Sequence, residues 1–123
     1  MRGSTYSSAQ LVAHLVGDYL LQSDWMAAEK RRHPLPALVH AGLYGLPFLP
    51  LGPSPTALVT IVLSHFVIDR WALARHVARA RDHLAPRCAW TPAARPAWET
   101  WVLGLITDNT LHVLINGWAL RRL

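Results

Sequence analysis

At 123 residues the chain is the length of one domain, long enough to bury a core and too short to divide into two. Apolar residues make up 52% and charged residues 15%, below the quarter usual in soluble domains. That balance points towards a membrane or an oligomeric interface, and a mean hydropathy of +0.19 does not decide between them. The formal charge is +5, and its placement is more informative than its size. No Lys or Arg lies between Pro34 and Asp69 or between Trp98 and Leu120. The cations gather at Lys30–Arg32, at Arg70–Arg95 and at Arg121–Arg122, as basic loops do against anionic lipid. A nucleic-acid partner is not expected, because the interleaved exposed aromatics and glycines of such a surface are missing.

Four apolar segments follow in chain order, and they predict an all-α, compact bundle of about four helices, membrane-embedded. The first runs from about residue 8 to 30, with Ser7–Ser8 placed to cap it. His33-Pro34-Leu35-Pro36 breaks it, since paired prolines do not continue a helix. The second spans about 37–49 and ends among Pro47 and Pro50. Gly52-Pro53-Ser54-Pro55 is an uncharged turn, and Thr56 starts a third helix of about 56–83 whose second half is rich in arginine. Pro86, Pro92 and Pro96 mark an irregular connection, and a last helix covers about 98–120. Sustained period-two alternation is absent, which argues against strands. The first three segments are short for a bilayer span of about 20 residues, whereas the fourth is long enough. If all four cross, the basic loops after helices one and three face the cytoplasm.

What interrupts these segments carries the chemistry. His14 and Asp18, His65 and Asp69, and Asp108 and His112 each stand four residues apart, a spacing that puts both side chains on one helical face. Random placement of seven histidines and five aspartates would yield roughly 0.6 such pairs; three occur, all inside apolar segments. A carboxylate in an apolar bundle costs several kcal/mol unless it is paired, protonated or bound to a cation. Ionisable groups at membrane depth usually face the bundle interior and mark a site or path. His40, central in the second segment, adds a group from the fourth wall.

Imidazole with carboxylate is the ligand set of Zn²⁺, Mn²⁺ or Fe²⁺, and helical bundles build such sites from inward-facing residues. The expected ligands are His14, Asp18, His40, His65, Asp69, Asp108 and His112, enough for one ion or two, with Gln22 and Asn109 supporting them. The reaction this suggests is metal-dependent hydrolysis of an anionic, phosphoester-like small molecule or lipid, drawn in by basic loop residues. Two other readings use the same residues. One is a non-enzymatic membrane or interaction protein in which the pairs only hydrogen-bond helix to helix; the other is a proton or ion path. A soluble bundle that forms a homo-oligomer through its apolar faces is a further alternative.

Other residues read as background. Cys88 is the lone cysteine, so neither an intramolecular disulfide nor a cysteine-based zinc knuckle is expected. His33, His76 and His83 fall in basic, exposed stretches, and Lys30, Arg31 and Arg32 read as a solvated loop. The tryptophans sit near segment ends, as an interfacial belt requires. Ser64 and Thr107 precede His65 and Asp108, but helical neighbours point about 100° apart, so neither is a persuasive nucleophile. A signal peptide is not expected, because His14 and Asp18 interrupt the first apolar stretch.

The blocks AHLVGDYLLQSDWMAAEK (13–30), His40 with Tyr44, SHFVIDRW (64–71) and TDNTLH (107–112) resemble the DUF3307 family. This is a family of small, uncharacterised bacterial and phage proteins thought to lie in membranes. The resemblance implies a membrane location, the bacterial inner membrane or a phage-encoded equivalent. It also groups His14, Asp18, Gln22, His40, His65, Asp69, Asp108 and His112, and it supplies no reaction. Where the family pattern commonly reads Asp-Gln before the last histidine, this chain has Asp108-Asn109, a shorter amide with a different reach.

Overall fold

The computed structural model describes residues 6–84 and 96–123. Cys88 and the expected turn prolines Pro86 and Pro92 lie outside these. The described residues are helical throughout: α1 (Ser8–Leu15), α2 (Asp24–Glu29), α3 (Pro34–Gly45), α4 (Pro55–Arg70), α5 (Leu73–Leu84) and α6 (Ala97–Arg122). Ser7, Ser23 and Ser54 cap α1, α2 and α4, each accepting a backbone N–H from three residues on. Proline occupies the first turn of α3 and α4, where its missing N–H costs nothing.

The segment expected as one helix over 8–30 is divided. After Leu15 the backbone widens into a π-helical turn, Val16–Leu20, closed by Leu21 N–H donating to Val16 O at 3.1 Å. The turn ends before Ser23 starts α2. Gly17 allows this turn to press against α3, since a Cβ there would lie 2.8 Å from the Tyr44 ring and 2.9 Å from the Tyr44 carbonyl. The third expected helix is also two elements. Ala72 adopts a left-handed φ of 49°, unusual for a residue with a Cβ, and α5 departs from α4 at 68°.

α1, α3, α4 and α6 form an up-and-down four-helix bundle. Their contacts run in opposite order along each neighbouring pair: His14 meets Tyr44 while Asp18 meets His40, and His40 meets His65. Likewise Gln10 meets Val113 while His14 meets Asn109. A 3₁₀ extension, Leu46–Leu51, and Gly52 with φ 64° turn α3 back into α4. α2 and α5 lie at the end of the bundle opposite that turn, bringing Lys30 and Arg75 beside the ends of α4 and α6.

The main apolar cluster sits towards the turn end, where Phe48, Ala57, Ile61 and Ala119 pack with Ala13, Tyr44 and partly buried Leu51, Leu58 and Leu120, while Met26 and Ile68 are buried towards the other end. The rest of the interior is polar: Gln10, His14, Asp18, His40, His65, Asp69, His112 and Asn116 are all buried. The outer faces are apolar, with Leu20, Leu35, Leu38, Leu63, Leu114 and Trp118 exposed. One described helical run, Pro34–Leu51, is long and apolar enough to cross a bilayer, and α4 with α5 passes the same test only as a bent pair. α6 has the length, with 26 residues, but among the described residues it does not join those that pass.

Candidate metal centre

Each wall of the bundle contributes to one level of the interior: Asp18 from the π turn, His40 from α3, His65 and Asp69 from α4, and Asp108 and His112 from α6. Two of the three i,i+4 pairs meet as their spacing predicts. His65 Nε2 is 3.3 Å from Asp69 Oδ2, and His112 Nε2 is 3.5 Å from Asp108 Oδ2. His14 and Asp18 do not share a hydrogen bond. The π turn closes five residues back instead of four, so Asp18 stops short of a full turn from His14 and reaches His40 instead, at 3.2 Å.

Four atoms converge most tightly: His40 Nε2, His65 Nε2, Asp18 Oδ1 and Asp69 Oδ2. His40 lies 2.9 Å from His65, 3.2 Å from Asp18 and 3.3 Å from Asp69, while His65 lies 3.3 Å from Asp69 and 3.8 Å from Asp18. A tetrahedron whose corners lie 2.0–2.1 Å from a central ion has edges of about 3.3–3.4 Å. These four residues are all buried and can hold a metal ion. Among these atoms, His40 Nε2 is crowded against the other three. Two imidazole nitrogens facing each other share one proton at most, and the carboxylate oxygens bring none. A cation at the centre would satisfy all four at once.

A second group, Asp18, Asp108 and His112, is also close enough to hold an ion, and it shares Asp18 with the first. Asp108 is its one partly exposed member, at 28%. His112 Nε2 further contacts Asp69 Oδ1 at 3.2 Å, and its Nδ1 is 3.2 Å from His65 Nδ1.

His14 belongs to neither group. Its Nδ1 meets the Tyr44 hydroxyl at 2.8 Å, and its Nε2 meets Asn109 Oδ1 at 2.6 Å. Asn116 Nδ2 donates to the same hydroxyl at 2.6 Å. The Tyr44 O–H therefore donates to His14 Nδ1, and His14 Nε2–H donates to Asn109, so both ring nitrogens are engaged. Asn109 serves His14 here, and also meets Tyr19 and the Leu105 carbonyl. The Tyr44 ring stacks on His65 at 3.6 Å between centroids and 10° between planes, fixing that imidazole from below.

Lys30 is the site residue that the sequence reading placed elsewhere. Its side chain is 15% exposed, and Nζ donates to Asp69 Oδ2 at 2.6 Å and to Gln22 Oε1 at 2.7 Å. Gln22 thus acts on the centre through Lys30. Beside the centre lies a cavity of about 310 Å³ whose lining includes Asp18, Asp108, Gln22, Lys30, Arg31, Arg75 and Trp101. His33, His76 and His83 are exposed and far from this arrangement in role, with His33 3.5 Å from Glu29.

A family model described as a protein of unknown function, DUF3307, matches residues 8–89. The chain belongs to the DUF3307 family. The matched span holds all four residues of the tight group, whereas α6, with Asp108, Asn109 and His112, lies beyond it. No curated protein and no solved structure matches the chain.

Proposed function

We propose that this DUF3307 protein is a membrane-embedded metalloprotein that hydrolyses an anionic, phosphoester-like substrate. The observation that carries the reading is the convergence of ligand atoms from Asp18, His40, His65 and Asp69, with His40 and His65 lying 2.9–3.8 Å from each other and from both carboxylates, close to the edge lengths around a zinc-sized ion. Zn²⁺, Mn²⁺ and Fe²⁺ all accept two imidazoles and two carboxylates. An ion held there would fix these four side chains, and a divalent ion that keeps an open coordination position beside them would supply a water acidified to a pKa of about 7 and a positive charge for the developing transition state.

The chain's own residues do the rest. Lys30 holds Asp69 and offsets part of the buried negative charge. The Tyr44 ring keeps His65 in place. Arg31 and Arg75 flank the adjoining cavity with Lys30, so an anion is drawn to the side where Asp18 and Asp108 face it. The membrane part of the reading draws support from the distribution of polarity, polar inside and apolar outside, and from the exposed Trp25, Trp71, Trp98, Trp101 and Trp118. Lipid is the expected surroundings, and self-association through the same faces is a second use of them.

Elemental analysis of the gently purified protein, reconstituted in turn with Zn²⁺, Mn²⁺ and Fe²⁺, tests the reading together with hydrolysis of phosphomonoester and phosphodiester panels. Near-stoichiometric metal that disappears in His40→Ala and His65→Ala is the expected result, with hydrolysis lost in parallel. Wild-type protein that stays empty after reconstitution overturns it.

A further inference from the structure

We propose that the centre holds two divalent cations, the second bound by Asp108, His112 and Asp18 next to the first and joined to it by shared carboxylates. The inference rests on the metal reading above and extends it from a single ion to a pair. Three observations carry it. Asp18 belongs to both groups of convergent ligand atoms. Asp69 divides its oxygens between them: Oδ2 lies 3.3 Å from His40 Nε2 and from His65 Nε2, while Oδ1 lies 3.2 Å from His112 Nε2. A carboxylate whose two oxygens address different imidazoles is placed to bridge two ions about 3.5–4 Å apart, the usual separation in two-metal sites. Finally, the His112 contacts to Asp69 and Asp108, at 3.2 and 3.5 Å, again have the length of edges around a small ion.

The two positions differ in kind. The first is closed by four buried residues. The second includes Asp108, 28% exposed, which lines the cavity together with Asp18. That position keeps a side open to solvent, as catalytic sites do. The second ion therefore meets the substrate.

The second ion also binds more weakly, for two reasons. Asp18, Asp69 and Asp108 carry three negative charges, which Lys30 and one divalent ion already balance; a second ion leaves an excess that an anion in the cavity has to offset. In addition, His65 Nδ1 and His112 Nδ1 lie 3.2 Å apart, a contact that holds one proton. When both rings ligate through Nε2, each carries its own proton on Nδ1, and the rings must turn apart.

Manganese titration of the whole protein, followed by metal content and electron paramagnetic resonance, tests this. Two equivalents are expected, the second at least tenfold weaker and strengthened by inorganic phosphate, with the six-line signal of an isolated ion giving way to that of a coupled pair. Asp108→Asn, at a partly exposed position, should bind one equivalent with no coupling, and His112→Gln should do the same. One equivalent in the wild type, unchanged by Asp108→Asn, overturns the second site and leaves the first. In that case a His112 variant that still binds its ion, only 10- to 100-fold more weakly, marks His112 as an orienting residue. Two uncoupled equivalents also overturn it. A wild type that binds none removes the single-ion reading as well.

Discussion

Replacing Lys30 with methionine separates a charge that holds the empty site together from one that competes with the ion. Lys30 Nζ sits 2.6 Å from Asp69 Oδ2, with the two side chains 15% and 4% exposed. Removing one partner of a buried pair typically costs about 3–5 kcal/mol, because the other charge stays buried alone. The slight exposure of Lys30 puts Lys30→Met near the lower figure, about 3 kcal/mol, in the metal-free protein. The same oxygen is a corner of the tetrahedral group, so the sign reverses once metal is added. An ammonium touching a ligand oxygen repels a divalent ion, by several kcal/mol at about 4 Å and an effective dielectric constant near 20. Methionine keeps the aliphatic volume and removes that repulsion. Metal affinity should rise by roughly tenfold or more, which is about 1.4 kcal/mol. Chemical denaturation in detergent, with and without metal at a fixed concentration, measures both parts. The variant should be the less stable protein when empty and should gain more from metal than the wild type gains. An empty variant as stable as wild type would show that the Lys30–Asp69 contact does not matter to folding. Unchanged or weaker metal binding would show that Asp69 does not share its oxygen between lysine and ion.

Two further substitutions probe the residues around the centre. His14→Gln should leave metal content unchanged and cost about 1–3 kcal/mol of stability, since the Tyr44 hydroxyl and Asn109 lose a well-fitted partner; loss of bound metal, measured by elemental analysis, would place His14 among the ligands after all. Gly17→Ala puts a Cβ 2.8 Å from the Tyr44 ring and 2.9 Å from its carbonyl, an overpacking worth about 1–3 kcal/mol. It should also weaken metal binding by pushing Asp18 away from His40, and a variant that melts earlier with metal affinity intact would contradict the role assigned to the π turn.

Much of the site was legible because the signal was a helical one. His65 with Asp69 and Asp108 with His112 meet as a four-residue step demands, and the same step extends further than the ionisable pairs. Gln10 stands four before His14, Tyr44 four after His40 and Asn116 four after His112, and each is buried with a polar partner. Reading every polar residue on that step, and not only His and Asp, finds the whole interior stripe. What the step does not reveal is a change of period. The π turn at Val16–Leu20 breaks the His14–Asp18 pair and hands Asp18 to His40, and its cue is Gly17, which one reads as a packing feature only once Tyr44 is beside it. Lys30 was illegible for another reason. In sequence it opens a run of three cations, and only the return of α2 over the bundle end turns that lysine inward while Arg31 and Arg32 stay outside.

The division of the interior explains why chemistry and fold are tied together in this chain. At the turn end, Phe48 and Ile61 fill the bundle as ordinary apolar knobs. At the other end the space between helices is filled largely by imidazoles and carboxylates, and several of the apolar neighbours there are alanines, among them Ala37 and Ala41. Small residues let the four backbones approach, but they bury little surface and so contribute little hydrophobic stabilisation. Cohesion at that end then has to come from polar contacts, and a partly satisfied buried network is less favourable than none. Among the described residues His40 Nδ1 is buried with no hydrogen-bond partner, and His40 Nε2 faces three competing neighbours. An ion at the centre would resolve the crowding at Nε2, draw Asp18, His40, His65 and Asp69 into one bonded unit, and tie the π turn to α3 and α4. The same residues that would perform hydrolysis are thus the ones that close the bundle, and metal removal is expected to loosen the α2–α5 end while leaving the Phe48–Ile61 end packed.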